Sequence, residues 1–457
     1  MSLGPRITVY LVSHNYGRYL ETAIESVLNQ TINDWELLLI DDGSSDHTPT
    51  VMKRYENLPN IKIFRTEGIG LTSVCNFALK QASGRYLIRL DGDDFFDDNI
   101  LLILANVLDN DESIALAFPD YYLMNGDGEV FAHERRLQLS LEDHVMDMPP
   151  NGACTMFRIS CLNHVGGYRE DLGAQDGFDV WMKLKGKFNS SNVNLPLFYY
   201  RRHGGNLTEQ PLRIVNARRV LKKEHAQKMH HSKKPILAVI PCRKHFDFVE
   251  DVWKQEFDGK TLLERDIRVC LETNFVEKVV VTCDNPSAED LVASLNNPRV
   301  FFHPRSTKST QINTNICSTL KEIFNIFDPS YSGVSIIRYV QTPFISKDTI
   351  EEAITSLIIS EAESSCSVEE LDEIIYKRNS HGLTRITQDP SKMLGNEKLF
   401  RDTHTCLAVL NSNVRTGSLR GTKMVGFMIS AAEGFFINSQ YALEVACNIV
   451  RKNIPYE

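Results

Sequence analysis

Three aspartates stand together where an apolar run ends in the first quarter of the sequence. The run Tyr86–Leu90 has the β-branched and aromatic content of a buried strand and leads directly into Asp91, Asp93 and Asp94. Carboxylates crowded at the end of an apolar strand repel one another and are costly to desolvate without a cation. Hard divalent ions take oxygen ligands and often keep phosphate oxygens as partners. The stretch therefore predicts a metal–diphosphate site, and a solvated acidic turn before the next helix is the alternative.

A second aspartate pair repeats this arrangement earlier in the chain. Asp41 and Asp42 follow the apolar run Trp35–Ile40, and helical patterns such as Tyr19–Gln30 and Leu71–Ala82 alternate with the strand-like runs. Strands separated by helices form parallel sheets, and the carboxyl ends of such strands meet at the edge where α/β proteins bind ligands. We therefore expect an α/β fold in which both acidic turns lie at one edge of a parallel sheet.

The composition limits the class of protein. The chain has 457 residues, of which 42% are hydrophobic and 24% charged, so we expect a globular protein with two or three domains. A net charge of −9 argues against a nucleic-acid partner. The ten cysteines show no metal-ligand spacing and suit reduced thiols, and no run approaches the ~20 apolar residues of a membrane span. These features favour a cytoplasmic protein.

Three motifs in combination resemble the family-2 glycosyltransferases of the GT-A fold. They are the polar segment Ser13–Tyr16 after the first strand, the acidic turn in Ile40–Asp46, and the stretch Ala82–Asp94. The resemblance covers roughly residues 5–208, so we expect residues 1–208 to form a GT-A glycosyltransferase domain. It implies a nucleotide-diphospho-sugar donor, a Mn or Mg ion, and a glycan or lipid-linked acceptor.

The same resemblance assigns residues to the donor and the metal. Donor-nucleotide contacts are implied for Val12, Ser13, Asn15, Asp41, Asp42, Asn76 and Asp91. Metal contacts are implied for Asp91 and Asp93, and for His203 in the closing motif Tyr199–His203. Cys75 stands where the family has an arginine before the asparagine, so the phosphate contact of that arginine has no counterpart at this position.

The stretch Gly173–Leu184 resembles the acidic segment and helix start that carry the catalytic base of the family. A single displacement at the anomeric carbon needs one carboxylate to deprotonate the acceptor hydroxyl. Asp176 is the first candidate for this base and Asp179 the second, although an aspartate in the first turn of a helix is also favoured by the helix dipole alone. We interpret the irregular residues 129–150 as an acceptor-side loop or an ordinary surface connection. Asn151–Phe157 resembles the strand that floors the acceptor site.

The sequence of residues 209–234 predicts a basic amphipathic helical linker. Apolar and cationic residues alternate at helical spacing through Leu212–Met229. We favour a helix that packs its apolar face on the neighbouring domains and keeps its charges in solvent. The alternative is peripheral contact with an anionic membrane, which would place the protein at the inner face of the membrane.

Residues 235–457 restart a strand–helix pattern and resemble the acylneuraminate cytidylyltransferases. The resemblance is carried by Ala238–Arg243, Gly259–Leu263, Val279–Asp284, His303–Arg305 and Val340–Pro343. Bulky Lys244–Phe246 replaces the flexible nucleotide loop of that family, and Asn438 and Ala442 replace acidic metal ligands. We therefore expect a degenerate domain that keeps the fold but not nucleotidyl transfer. Candidates for residual binding of a nucleotide or acidic sugar are Arg243, Lys254, Lys260 and Gln341.

The sequence thus predicts two nucleotide-diphospho-sugar-transferase-like α/β domains in tandem, Rossmann-like and of GT-A type, joined by a helical linker. The predicted function is that of a metal-dependent inverting glycosyltransferase of hexosyltransferase type, acting in bacterial surface polysaccharide synthesis. One alternative is a bifunctional enzyme that also synthesises CMP-nonulosonates. Another is a C-terminal domain that serves as a non-catalytic binding or homo-oligomerisation module.

Overall fold

The computed structural model describes residues 4–135, 152–171, 175–204, 211–229, 235–257, 259–306, 309, 315–371, 373–380, 382–386 and 399–451. These residues form two compact units, the first running to Arg218 and the second starting at Arg219. A hairpin beginning at Tyr376 groups with the first unit. The boundary falls inside the predicted linker 209–234. Both units are α/β, which confirms the predicted fold class.

The first unit is built on nine strands of the described residues. They are β1 (Ile7–Ser13), β2 (Trp35–Asp42), β3 (Ile61–Thr66), β4 (Tyr86–Asp91), β5 (Phe95–Phe96), β6 (Ile114–Met124), β7 (Val130–Glu134), β8 (Met156–Arg158) and β9 (Asn189–Arg201). Its helices are α1 (Gly17–Leu28), α2 (Thr48–Lys53), α3 (Leu71–Gln81), α4 (Ile100–Asn110), α5 (Ile159–His164) and α6 (Asp176–Leu184). The helix α7 (Pro211–Met229) follows.

The strand order is β3-β2-β1-β4-β8-β6-β9-β5, with β7 beside β6. The first four strands are parallel, as predicted, whereas β8 runs antiparallel to both β4 and β6. The sheet is therefore mixed rather than parallel throughout. β8 has only three residues, too few for a periodic pattern to reveal its direction from the sequence.

Part of the predicted irregular segment 129–150 is in fact regular. Val130–Glu134 forms β7, which pairs antiparallel with β6 after a turn in which Gly128 has a φ of +90°. Residues 136–150 lie outside the described residues. The acceptor-loop interpretation of that part stays a prediction.

The second unit contains a seven-stranded sheet of the order β14-β13-β10-β15-β19-β16-β20 among its described residues. The strands of this unit are β10 (Ile236–Pro241), β11 (Glu256–Phe257), β12 (Lys260–Thr261), β13 (Lys278–Cys283), β14 (Val300–Pro304), β15 (Val334–Ile337), β16 (Ser364–Glu370), β19 (Phe400–Leu410) and β20 (Met424–Met428), where β11–β12 form a separate hairpin. The hairpin that groups with the first unit consists of β17 (Tyr376–Asn379) and β18 (Gly382–Arg385). The helices are α8 (Leu262–Glu272), α9 (Ser287–Ser294), α10 (Cys317–Phe327), α11 (Lys347–Ser360), α12 (Asn411–Arg415) and α13 (Gln440–Arg451).

Two lysines of α7 correct the expectation that the charges of this helix are solvated. Lys222 is buried, and its Nζ lies 2.7 Å from Glu352 Oε1 within the second unit. Lys223 Nζ lies 2.7 Å from Glu351 Oε2. Buried lysines are stable only when paired, and here α11 supplies the partners. Lys222 therefore belongs to the core packing of the second unit, whereas Lys223 is paired with its side chain still 34% exposed.

A fully buried ion pair lies in the core of the second unit. Arg338, directly after β15, donates to the carboxylate of Asp266 on α8, to the carbonyl oxygen of Thr405, and to Thr342 Oγ1 at 2.7 Å. Burial raises the pKa of Asp266, and the adjacent Arg338 guanidinium opposes that shift. Each of the two charges is tolerated in the core because the other is present.

Replacing Arg338 by Met is expected to destabilise the protein by about 3–5 kcal/mol, because it leaves the Asp266 carboxyl buried without its cation. Thermal and urea unfolding measure the loss. Arg268→Met is the matched control: Arg268 pairs with Glu272 on the exposed face of the same helix α8. Removing an exposed pair changes stability little. Equal effects of the two substitutions would contradict the structural role of the buried pair.

Candidate active site

The carboxyl ends of three neighbouring strands bring the predicted donor residues together. β1 pairs with β2 so that Ser13 lies opposite Asp41, and it pairs with β4 so that Val12 lies opposite Asp91. All three strands are apolar and buried, so their polar ends emerge at one edge of the sheet. The sequence expectation of one ligand-binding edge agrees with this register.

Gly92, the residue directly after β4, fixes the approach of β4 to β1. The backbone N–H of Gly92 donates to Val12 O at 2.8 Å. A Cβ atom at position 92 would lie 3.1 Å from Ser13 Cβ and 3.2 Å from Val12 O. A larger residue would therefore push the acidic turn away from β1. This close contact explains why the two flanking aspartates are separated by glycine.

Each aspartate of the acidic turn has a different partner. Asp91 Oδ1 lies 3.0 Å from Arg89 Nε, and Asp93 Oδ2 lies 3.0 Å from His203 Nε2. Asp94 Oδ1 accepts the backbone N–H of Arg201 at 2.8 Å. Among the described residues, Asp94 Oδ2 is buried without a hydrogen-bond partner. The turn thus holds three carboxylates in a small volume, and two of their buried oxygens, Asp91 Oδ1 and Asp94 Oδ2, accept no hydrogen bond from the described residues.

Burial and mutual repulsion raise the pKa values of the carboxyl groups in this turn. Burial raises the pKa of Asp91 to about 6, with Arg89 opposing the shift and the neighbouring Asp93 adding to it. Burial also raises the pKa of Asp93, and it raises the pKa of Asp94 well above its usual range, with Asp93 and Asp91 reinforcing the second shift. The pKa of the nearby Tyr16 hydroxyl is raised by burial and then by the same aspartates. A bound divalent ion would relieve this repulsion.

The candidate base Asp176 joins this site through a residue that the sequence did not assign. Asp176 lies in the first turn of α6, and its Oδ2 accepts a hydrogen bond from Arg89 Nη1 at 2.5 Å. Arg89 is two residues before Asp91 on β4 and is buried. One guanidinium therefore holds both Asp91 and Asp176. An arginine inside an otherwise apolar strand was the signal in the sequence.

The second candidate, Asp179, pairs with a lysine of its own helix. Its side chain is 3% exposed, and its Oδ2 lies 2.6 Å from Lys183 Nζ, one turn along α6. This ion pair between residues four positions apart on the helix adds to the helix-dipole effect that was the alternative for Asp179, and its assignment as the second candidate base stays a prediction. Gln175, the residue directly before α6, has a φ of +62°. That left-handed conformation is uncommon for a residue with a Cβ and directs the chain into the helix at Asp176.

Two further donor candidates, Asn15 and Asp41, accept hydrogen bonds from the loop after β2. Asn15 Oδ1 accepts the backbone N–H groups of Ser45 and Asp46. Asp41 Oδ1 accepts the Ser44 N–H at 2.9 Å. These contacts fix the acidic loop after β2 against the end of β1. A nucleotide would meet a preformed loop here.

Asp42 and Asn76 are also engaged within the protein. Asp42 is buried, and its two carboxylate oxygens accept the backbone N–H groups of Ile69 and Gly70 at 2.8 and 2.9 Å. The Asn76 amide donates to Tyr168 O at 2.8 Å and accepts the Tyr168 N–H at 2.9 Å. Their assignment to the donor nucleotide stays a prediction.

The residue types at the acidic turn fit a hard divalent ion, but they are not gathered around one point. Asp91, Asp93 and His203 supply the oxygen and imidazole ligands that Mn²⁺ or Mg²⁺ would take. In the part of the chain that the structure describes, no three acidic, histidine or cysteine side chains are close enough to enclose an ion. Asp91 is held by Arg89 instead.

The contacts of the C-terminal candidates differ from one residue to the next. The Arg243 guanidinium lies 4.4 Å from the Phe246 ring centroid, and Lys254 Nζ lies 3.2 Å from Asp251 Oδ2. Lys260 is exposed on β12, and the Gln341 side chain donates to Ile437 O at 3.1 Å. The contacts of the described residues join no two of the four candidates.

The two positions expected to have lost acidic metal ligands differ in exposure. Asn438 is exposed in the turn before α13. Ala442 is buried in α13 itself. Neither residue can supply a carboxylate, and the Ala442 methyl group packs as an ordinary core residue.

Comparisons with known proteins match the two halves separately. The model of the glycosyl transferase family 2 matches residues 8–161, and the cytidylyltransferase model matches residues 255–411. The predicted fusion of a family-2 glycosyltransferase domain with a cytidylyltransferase-like domain is therefore confirmed.

Curated relatives are similar over parts of the chain. The hyaluronan synthase of Pasteurella multocida is 25% identical over 303 residues, covering 64% of this chain and 30% of that protein. The chondroitin synthase of Escherichia coli is 24% identical over 211 residues, covering 46% and 31%. The cholesterol galactosyltransferase of Borreliella burgdorferi is 34% identical over 121 residues, covering 26% and 34%. The chain thus spans about a third of the length of these relatives.

Two solved structures are similar at a low level. Staphylococcus aureus TarS 1–349 in complex with UDP-GlcNAc has a TM-score of 0.41 and 19% identity, covering 50% of this chain and 68% of that one. CMP:2-keto-3-deoxy-manno-octonic acid synthetase with CTP has a TM-score of 0.38 and 12% identity, covering 48% and 100%. No helix of the described residues is long and apolar enough to cross a membrane.

Proposed function

We propose that this protein is a metal-dependent inverting glycosyltransferase that moves a sugar from a nucleotide-diphospho-sugar to a glycan or lipid-linked acceptor in bacterial surface polysaccharide synthesis. The family-2 match over residues 8–161 and the names of the relatives support glycosyl transfer. The observation that carries the proposal is the meeting of Asp91, Asp93 and Asp176 at one edge of the sheet, with Arg89 joining two of them.

The residues have separable roles in this reaction. Asp91, Asp93 and His203 would hold the Mn or Mg ion, which when bound neutralises charge on the departing diphosphate. The Asp176 carboxylate takes the proton of the acceptor hydroxyl as its oxygen forms a bond to the anomeric carbon. The bond from that carbon to the diphosphate oxygen breaks in the same displacement. Attack opposite the leaving group inverts the anomeric centre.

A panel of nucleotide-sugars tests the proposed function. The full chain is incubated with UDP-, GDP- and CMP-linked sugars and oligosaccharide acceptors, with Mn²⁺, with Mg²⁺, or with EDTA. We expect release of a nucleoside diphosphate from at least one diphospho-sugar with metal and none with EDTA. NMR of the product should show the opposite anomeric configuration from the donor. Metal-independent transfer, or retention of configuration, would contradict the proposal.

The place of action follows from the same chemistry. Nucleotide-sugars are cytoplasmic substrates in this proposal, and a lipid-linked acceptor would bring the enzyme to the inner face of the membrane.

Homo-oligomerisation through the C-terminal unit is the role we assign to that unit alongside ligand binding. The mass of the full chain in solution, measured by light scattering, tests this assignment.

We also propose that the C-terminal unit does not transfer nucleotides. Asn438 and Ala442 stand where carboxylates are needed, and a neutral amide is a poor ligand for magnesium. The full chain with CTP, Mg²⁺ and a set of nonulosonic acids is expected to release no pyrophosphate. Pyrophosphate release would instead support the bifunctional alternative.

A further inference from the structure

We propose that Arg89 is a positioning residue that couples the metal-binding aspartate Asp91 to the base Asp176, and that a divalent ion must compete with its guanidinium for Asp91. The inference rests on the proposed function, because the roles of Asp91 and Asp176 come from it. It assigns a role to a residue to which the family resemblance gave none.

Arg89 contacts both carboxylates. Its Nη1 donates to Asp176 Oδ2 at 2.5 Å, and its Nη2 donates to Asp91 Oδ2 at 3.5 Å. Its Nε lies 3.0 Å from Asp91 Oδ1 as an ion pair, and neither of these two atoms forms a hydrogen bond among the described residues. The Arg89 side chain is only 6% exposed. A guanidinium is planar and stays charged, so its fork sets the relative orientation of two carboxylates in a way that a lysine ammonium cannot.

The surroundings hold the guanidinium in this place. A Cβ at Gly152 would lie 3.0 Å from Arg89 Nη2 and 2.7 Å from Asp176 Oδ2, so the glycine leaves space for the ion pair. On another side Arg89 Nη1 lies 3.7 Å from the buried Cys75 Sγ. Because interiors are close-packed, the guanidinium has little room to follow either carboxylate if one of them moves.

A divalent ion that binds Asp91 would have to compete with the Arg89 guanidinium for this carboxylate. The described residues offer no ready-made cluster of three metal ligands, and the carboxylate nearest to such a role is bound to Arg89. An ion at Asp91 and Asp93 would lie close to the Arg89 charge, which repels it. The same guanidinium keeps Asp176 beside the site. Arg89 therefore weakens metal binding while it positions the base.

The first experiment uses Mn²⁺ alone and needs no turnover. Free Mn²⁺ is titrated by electron paramagnetic resonance into the wild type, Arg89→Met, Asp91→Asn and Arg85→Met. We expect Arg89→Met to bind Mn²⁺ about tenfold more tightly, since a repelling unit charge is removed. Asp91→Asn should bind it more weakly. Arg85→Met is the control. Arg85 directly precedes the same strand β4 and pairs with Asp109, and this variant should bind Mn²⁺ as tightly as the wild type.

The second experiment is a double-mutant cycle on the transfer rate. Arg89→Lys keeps the charge but loses the fork, so kcat should fall about tenfold to a hundredfold while the KM for the donor changes little. Adding Arg89→Lys to Asp176→Asn should cost little more than Asp176→Asn alone, because Arg89 acts through Asp176. Thermal melting checks that the variants fold.

The outcomes separate the inference from the function on which it rests. Unchanged or weaker Mn²⁺ binding by Arg89→Met, or additive losses in the cycle, would overturn the role of Arg89 alone. If Asp91→Asn binds Mn²⁺ as the wild type does, the metal site of the proposed function is wrong, and this inference falls with it.

Discussion

Replacing Asp93 by Asn is expected to lower glycosyl transfer by about a thousandfold or more without lowering the stability of the fold. The amide keeps the size of the side chain and one acceptor for His203, but it removes a charge that the metal ion needs. A thousandfold loss corresponds to about 4 kcal/mol of transition-state stabilisation. The fold should tolerate the change because Asp93 repels its neighbours, and repulsion by Asp93 helps to raise the pKa of Asp94.

The measurement is release of nucleoside diphosphate with Mn²⁺ present, alongside a thermal melt of each variant. Asp127→Asn is the matched control, because Asp127 lies in the turn after β6 and its side chain is 82% exposed. This control should transfer at the wild-type rate. Full activity of Asp93→Asn would remove Asp93 from the site, and a large loss of stability would mean that the residue is structural.

Replacing Asp176 by Asn is expected to lower kcat for transfer by about a hundredfold to ten-thousandfold, the usual contribution of a general base. The amide can still accept a hydrogen bond from Arg89, so the geometry of the site should survive. Donor binding should therefore remain within a few-fold of the wild type. Steady-state kinetics with saturating donor and varied acceptor measure the two effects separately.

Asp171→Asn serves as the control for this variant. Asp171 is 60% exposed in the segment before α6 and pairs with Arg169. It should leave kcat unchanged. If Asp176→Asn keeps its kcat while Asp179→Asn loses it, the base is the second candidate, and the interpretation of Asp179 as a helix-internal ion pair with Lys183 is wrong.

The strand edge was accessible from the sequence because local patterns determine it. Continuous apolar runs that end in aspartates predict buried parallel strands, and the register of β1 with β2 and β4 then follows. The glycine between Asp91 and Asp93 could be seen in the sequence as well. Its close contact with Ser13 is a property of the packed structure.

The link from Asp91 to Asp176 was not accessible, because 85 residues separate the two positions and only tertiary packing brings them to one guanidinium. Lys222 was misjudged for the same reason, since its partner Glu352 lies on a distant helix. A strand was expected within Asn151–Phe157, but the antiparallel direction of β8 was not predicted, because a strand of three residues shows no periodic pattern. In each case a contact distant in sequence decided the outcome.

The most direct test of the central claim is the position of the metal. Crystals of the full chain are soaked with Mn²⁺ and a nucleoside diphosphate, and data are collected at the manganese absorption edge. The anomalous difference density then locates the ion. We predict a single strong peak within ligand distance of both Asp91 and Asp93, with diphosphate oxygens completing its coordination. A diphosphate bound at this edge without manganese, or manganese bound only elsewhere, would contradict the account.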